Sequence, residues 1–481
     1  MKRMIIGGYE KESDSQINII DPSTLEPVES VSYTNSADIV DESISVASEA
    51  YVKYSSISLA RRLELLKKAA DLIQNSKERL AMLLARESGK PINEARVELS
   101  RAVSVFINSA EEVKIAIEGK SYRVDAYAYP PDNNRRIVFE IREPVGIIGA
   151  ILPFNFPANG FAHKVAPNLA IGNTVVVKPS SQTPLTAIEM AKLIYAAGFP
   201  PGVVSVIVGN GEILGSALAT DKRVSGITFT GSTVTGRRLA SLALGKKLML
   251  ELGGSDPFIV FNDADVERAV QIGVKARFEY AGQNCNAAKR FIVQSNVYDK
   301  FVNKFAELAG KIWVGNAIDG RTEMGPLISA MAVSNAIRMV EDALQVNGKL
   351  LLDRRAVNIG KGYYMGPVVI KNPDIKSKVM QDETFAPIAP MISFENEEDA
   401  ISVANSSPYG LQAAIFTKDI SRALRVTKSI KAGAVLINDS TRLRWDTLPF
   451  GGLKESGIGE REGIRNTAIT FSEVKMISLG V

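Results

Sequence analysis

Apolar residues along this chain recur first at helical spacing, then at strand spacing, then as short runs alternating with helices. Residues 1–35 form a polar stretch with brief strand-like alternation. From Ser36 the apolar positions share one helical face, through Ile39, Val40, Ile44 and Ala47. Ser58 is placed to cap a longer helix carrying Leu63, Leu66 and Ala70; Leu80, Leu83 and Leu84 continue its stripe until Gly89 and Pro91 stop it. A third helix is predicted from about Asn93 to Ile117. The period then drops to two. Tyr122–Tyr129 and Arg136–Ile141 alternate on either side of the turn Pro130-Pro131-Asp132-Asn133-Asn134, which predicts a β-hairpin. A long polar hairpin interrupting such a chain lies on the surface or pairs with another subunit.

From Val145 the pattern becomes strand–helix–strand. Ile147–Leu152, Thr174–Val177, Val203–Val208 and Ser225–Phe229 are apolar runs expected as buried strands. Helices are predicted around Phe161–Ala170, from a Thr183-Pro184 cap to Gly198 and Pro200, and from Ser232 onward. That order predicts an α/β fold with a parallel, doubly wound sheet. A second α/β unit begins at Pro257–Phe261, with a helix over Val266–Tyr280 and strands near Arg290–Val293, Val368–Ile370, Ala413–Phe416 and Ala434–Ile437. The end, Ile469–Leu479, alternates again and is expected to pair with the hairpin.

At 481 residues the chain exceeds one ordinary core, so two or three domains are expected. It is 46% hydrophobic and 23% charged, which excludes a disordered or fibrous protein. A net charge of +4 from nearly balanced acids and bases argues for neither a nucleic-acid nor a membrane partner. No apolar run approaches the ~20 residues of a membrane span, and the N-terminus is too short in apolar residues for a signal peptide. One cysteine excludes an intrachain disulfide and suits a reducing cytoplasm. One histidine, His163, leaves no set for a structural metal and is expected to be packed and hydrogen-bonded within a helix.

The candidate chemistry gathers around that cysteine. Cys285 follows Gly282-Gln283-Asn284, Glu251 precedes Leu252-Gly253-Gly254, and Asn155 lies between Phe154 and Phe156 inside a proline-flanked loop. A thiolate adds readily to an aldehyde carbonyl. The oxygen it charges needs donors, for which the Asn155 amide and the Cys285 N–H are the candidates. Glu251 is the candidate base for the water that cleaves the resulting thioester. Taken singly, Asn155 also suits a turn, Glu251 a strand end and Cys285 a packed core. On a second flank, Thr230-Gly231-Ser232 follows a strand and opens a helix, a setting for a phosphate. Lys178 ends a buried strand, where doubly wound sheets bind ligands. Beyond it an acid would repel a ribose 2′-phosphate; Ser181 tolerates one, which points to NADP or to dual use with NAD.

Eight motifs together resemble the aldehyde dehydrogenase superfamily over nearly the whole chain: PFNFP at 153–157, KPSSQTP at 178–184, FTGSTVTG at 229–236, ELGG at 251–254, GQNC at 282–285, GPLIS at 325–329, DETFAP at 382–387 and LPFGGLKESGIG at 448–459. The resemblance implies Cys285 as nucleophile, Glu251 as base and Asn155 as oxyanion donor. It implies cofactor contacts from Ile151, Pro153, Phe154, Lys178, Ser180, Ser181, Gly211, Phe229, Thr230, Gly231, Ser232 and Leu252, with Glu383 on the nicotinamide ribose and Phe385 near its ring. It further implies a Rossmann-type cofactor domain (1–121 and 145–253), a catalytic domain (254–448) and a hairpin-plus-tail oligomerisation element (122–144 and 465–481), in dimers or tetramers. Two positions depart from the commonest pattern: Ser181 replaces the Glu of many NAD-specific members, and Phe154 replaces a Trp.

The stretch Asn438–Asp446 and the tail around Glu462–Arg465 are similar to the lactaldehyde and non-phosphorylating glyceraldehyde-3-phosphate branch, whose members oxidise small hydroxyaldehydes or their phosphates. Arg442, Arg444 and, from the third helix, Arg101 are candidates to attract such a substrate, with Asn284 beside the nucleophile. The competing expectation for the arginines is an ion pair, for example with Asp446. Three other functions compete: a CoA-acylating semialdehyde dehydrogenase, which needs no base at Glu251; a non-catalytic scaffold retaining the fold; and a thiol hydrolase, which requires His163 beside Cys285.

Overall fold

The computed structural model describes residues 1–480. Two sheets organise it. The larger has eight strands; its parallel centre runs Val204–Val206, Thr174–Lys178, Ile147–Ile151, Val224–Thr230 and Lys247–Glu251, in that spatial order. Chain order thus reverses between Ile147–Ile151 and Val224–Thr230, and the crevice outside the carboxyl ends of such neighbours is where open α/β sheets bind ligands. An antiparallel hairpin, Met4–Ile6 with Tyr9–Lys11, closes one edge, and Gly457–Gly459 closes the other. The strands Ile147–Ile151 and Thr174–Lys178 are buried along their length, as strands covered on both faces must be.

The second sheet has seven strands, in the order Lys349–Asp353, Val368–Lys371, Ile388–Phe394, Ala288–Gln294, Asp256–Val260, Gln412–Phe416 and Ala434–Ile437. All neighbours are parallel except the first pair. Phe258, Phe291, Phe301 and Phe305 interlock beneath it, with Phe258 and Phe291 centroids 5.2 Å apart.

Several sequence expectations are corrected. Tyr122–Tyr129 is not a strand: only Ser121–Tyr122 pairs with Arg136–Pro144, and Val124–Ala126 and Asn133–Arg135 are single turns of 3₁₀-helix. Prolines 130 and 131 have no N–H to give a ladder. The tail Ser472–Gly480, as its alternation predicts, pairs antiparallel with Arg136–Pro144 over nine residues. Leu80, Leu83 and Leu84 belong to a separate helix, Lys77–Ser88, because the preceding one ends at Asn75. Helix Leu185–Ala196 is not capped by Thr183. Glu87, fully buried, accepts from Leu185 N–H at 2.8 Å and Thr186 N–H at 3.0 Å. Helix Gly211–Thr220 and strand Ile388–Phe394 went unpredicted. Among the described residues no helix is long and apolar enough to cross a membrane.

Candidate active site

The carboxyl ends of both sheets open on one cavity of about 860 Å³, lined by every predicted site residue except Asn284. Asn284 is fully buried, and its amide donates to the Glu279 carbonyl at 2.9 Å, inside the loop. That loop departs from helix Val266–Phe278 with Tyr280 and Ala281 at φ of 50° and 53° and Gly282 at 72°. Such left-handed residues cost energy and persist only where neighbours hold them. Here Tyr280 N–H donates to Glu94 at 3.1 Å and its hydroxyl to the Ser88 carbonyl at 2.7 Å. The neighbouring chain also passes close: a Cβ on Gly254 would sit 2.5 Å from the Cys285 carbonyl.

Cys285 is partly exposed to the cavity. Burial pushes its thiol up to about 12, with Lys289 opposing and Glu383, Asp256 and Glu251 adding to the rise. Asn155 comes from the loop after Ile147–Ile151; its amide donates to the Gln283 carbonyl at 2.8 Å, leaving its second N–H for a ligand. The Asn155 carbonyl is held by the Lys90 ammonium at 2.6 Å, which is itself seated 3.7 Å above the Phe156 ring.

Glu251 ends the strand Lys247–Glu251 and is 3% exposed. Its Oε1 accepts from Glu462 N–H at a long 3.4 Å, and its Oε2 has no partner. Burial first, and repulsion from Glu462 second, raise its pKa to about 8 against the pull of Arg444 and Lys164. Glu462 is held the other way: although burial opposes it, Lys164 at 2.5 Å and Arg444 at 2.7 Å keep its carboxyl well below the usual range. The arrangement therefore contains one ionised carboxylate and, beside it, one that carries its proton at neutral pH. A carboxyl poised near the working pH suits a general base.

The arginines are less free than expected. Arg101 pairs with Asp446 at 2.7 Å, and Arg444 pairs with Glu462 and lies 4.2 Å over the Phe450 ring. Arg442 faces Glu279 at 3.3 Å, yet its Nε and Nη1 have no hydrogen-bond partner among the described residues. His163 is 2% exposed, with Nε2 3.1 Å from Asp446 and Nδ1 3.3 Å from Arg444. Burial first, then Arg444, lower its pKa, and with both nitrogens engaged it is no base for the thiol, which removes the thiol-hydrolase alternative. Sequence patterns missed Lys164, Glu462 and Lys289. The signal available for Lys164 was a lysine inside the otherwise apolar run Phe161–Ala170.

The far end of the cavity fits a dinucleotide. Ser232 caps helix Thr233–Leu242, accepting from Thr235 N–H at 3.3 Å, so the helix N-terminus faces the cavity. The Lys178 ammonium is buried, its pKa lowered to about 8 by desolvation, with only the Pro179 carbonyl at 2.8 Å as partner. It is thus a cation with unspent donors. Ser181 donates to the Gly209 carbonyl at 3.1 Å and carries no charge that would repel a phosphate. Phe154 and Phe385 meet edge to face at 5.8 Å between this end and the thiol, forming an apolar seat for a flat ring. The Glu383 carboxylate accepts from Gly254 N–H at 3.0 Å and from Lys289 at 3.2 Å.

Comparison with known proteins agrees with this geometry. The model of the Aldehyde dehydrogenase family matches residues 9–477. The chain is 39% identical over 465 residues to a lactaldehyde dehydrogenase of Methanocaldococcus jannaschii, covering 96% of each. It is 38% identical over 480 residues to a mitochondrial succinate-semialdehyde dehydrogenase of Oryza sativa, covering 99% of this chain and 89% of that one. The crystal structure of the glyceraldehyde-3-phosphate dehydrogenase GapN from M. jannaschii, complexed with NADP, superposes with a TM-score of 0.91 at 38% identity, covering 98% of this chain and 100% of that one. With thiol, carboxyl and amide drawn to one cavity from two sheets, and the family model matched almost end to end, the chain belongs to the aldehyde dehydrogenase family.

Proposed function

We propose that the protein oxidises a small aldehyde bearing a hydroxyl or an anionic group to its carboxylic acid, with NADP or NAD as oxidant. The observation that carries this is the convergence of Cys285, Asn155 and Glu251 on one cavity whose other end offers Lys178 and a capped helix N-terminus. The Cys285 thiol releases its proton to solvent, its Sγ attacks the carbonyl carbon, and the carbonyl electron pair moves onto oxygen, where the free Asn155 N–H and the Cys285 backbone N–H receive it. Lys178, Ser232 and Glu383 would hold a nicotinamide dinucleotide, which would supply the oxidising power by accepting the aldehyde hydrogen with its electron pair. Cys285 is left holding the acyl group as a thioester. Glu251, in its ionised form, removes a proton from water, the hydroxyl oxygen bonds to the acyl carbon, the C–S electron pair returns to Cys285 as thiolate and the acid leaves.

The lining arginines support an anionic or hydroxylated substrate: Arg442 and Arg101 both border the cavity, and each has a single carboxylate partner. The named relatives act on lactaldehyde and succinate semialdehyde, both of this class. Lys178 with Ser181, and the NADP in the M. jannaschii GapN structure, support use of NADP. We assign cofactor binding to residues 1–121 and 145–253, the nucleophile to 254–448, and subunit pairing, as a dimer or tetramer, to 122–144 with 465–481. Absorbance of the reduced cofactor, followed with glyceraldehyde 3-phosphate, lactaldehyde, glyceraldehyde and succinic semialdehyde and each dinucleotide, tests the assignment. No reduction across the panel overturns it. Acyl-CoA formed on adding CoA favours the acylating alternative, in which Glu251 has no task.

A further inference from the structure

A lysine stands behind the thiol. Lys289 lies in strand Ala288–Gln294 and is fully buried, a state lysine rarely adopts unless paired. Its ammonium donates to the Cys285 backbone carbonyl at 2.5 Å and to Glu383 Oε1 at 3.2 Å. It also lies 5.8 Å from the Phe385 ring centroid. A neutral donor would satisfy the carbonyl, and Glu383 already accepts from Gly254 N–H at 3.0 Å. These bonds alone do not call for a buried positive charge.

The titratable groups that act on Cys285 are Glu251, Asp256, Glu383 and Lys289. Glu251 and Asp256 each leave one carboxyl oxygen unpartnered, and burial raises both to about 8, so both are largely protonated at neutral pH. That leaves one cation and one anion, joined in a salt bridge at the Cys285 backbone carbonyl. They act on the sulfur with opposite sign: Lys289 favours a thiolate and Glu383 disfavours it.

We propose that Lys289 is a positioning residue that supplies the positive charge against which Cys285 ionises, and that Glu383 competes with the thiolate for that charge. This rests on the assignment of Cys285 as nucleophile and deepens it. The thiol proton goes to solvent.

Because Cys285 is the only cysteine, alkylation reports on it alone. Iodoacetamide alkylation of the full chain is followed by mass from about pH 7 to about pH 11, without aldehyde or dinucleotide. Lys289→Met is expected to slow alkylation at neutral pH by at least about tenfold, equivalent to one pKa unit, with the whole rising limb of the profile displaced to higher pH. Glu383→Gln is expected to speed it about threefold or more. A packing role for the pair predicts changes in the same direction for both variants, through altered access to the sulfur. Equal directions, or no change in Lys289→Met, overturn the proposal. Where Lys289→Met does not give a cooperative melt, Glu383→Gln decides alone: acceleration supports the proposal, and an unchanged or slower rate overturns it. Wild-type turnover is measured separately, so its absence would defeat the oxidation assignment without touching the alkylation result.

Discussion

The Asn155 amide and the Gln283 carbonyl are joined at 2.8 Å, a bond that ties the loop after a strand of one sheet to the thiol loop of the other. It fixes where the spare Asn155 N–H points relative to the sulfur two residues on. Asn155→Ala removes both tie and donor. Its kcat is expected to fall by about 10²–10³, the usual loss for an oxyanion donor, while dinucleotide affinity measured by fluorescence titration is kept.

Glu251→Gln separates the two halves of the reaction. Reduced cofactor is expected to appear in a burst of one equivalent per site, followed by steady turnover slowed by roughly 10² or more. In the wild type, steady turnover is expected to rise as pH climbs through about 8, because burial and then Glu462 keep the base protonated below that. The variant lacks this limb. The stability sign follows: a carboxyl whose folded pKa is raised from 4.5 to about 8 favours the folded state fully below 4.5, and that contribution is lost as pH rises through about 8. Thermal melts of the wild type and Glu251→Gln are expected to diverge in the variant's favour above that pH.

Away from the chemistry, Glu87→Ala strips the N-terminus of helix Leu185–Ala196 of its acceptor. A loss of about 2 kcal/mol is expected, read as a lowered denaturation midpoint, with kcat unchanged in the folded fraction.

These substitutions also show which parts of the molecule were legible in the sequence. Buried strands announce themselves as apolar runs, so Ile147–Ile151, Thr174–Lys178 and Val224–Thr230 were found within a residue or two. Cys285, Glu251 and Asn155 each sit in a Gly- or Pro-shaped setting, which made them visible. Glu87 was not legible as a cap, because it reaches its helix from 98 residues away. Glu462 and Lys164 pair across 298 residues, and Lys289 meets Glu383 across 94. Nothing in local spacing marks such partners. The hairpin was half right: its second strand forms, and the tail, whose alternation marks it as a partner, completes the ladder.

Ser181→Glu places a carboxylate where the notional 2′-phosphate would lie, beside the Gly209 carbonyl. The ratio of kcat/KM for NADP over NAD is expected to fall about tenfold or more, since each like charge at contact range costs about 1 kcal/mol even in high dielectric. An unchanged ratio would detach Ser181 from cofactor choice.

Arg442→Ala removes a guanidinium from the cavity wall. KM is expected to rise about tenfold for phosphorylated or carboxylated aldehydes and to stay within about twofold for neutral ones. Equal effects on both classes would assign Arg442 to its ion pair with Glu279.

Asn155 and Glu251 reach the cavity from the eight-stranded sheet, Cys285 from the seven-stranded one, and a single amide–carbonyl bond spans the seam beside the sulfur. Chemistry of this kind tolerates misplacement of about 1 Å only at great cost in rate. The two halves can drift that far with every helix and strand intact, since such openings cost less than global unfolding. Catalytic output is therefore expected to be a more sensitive gauge of seam alignment than circular dichroism, with activity lost on gentle warming before the melting curve begins to move.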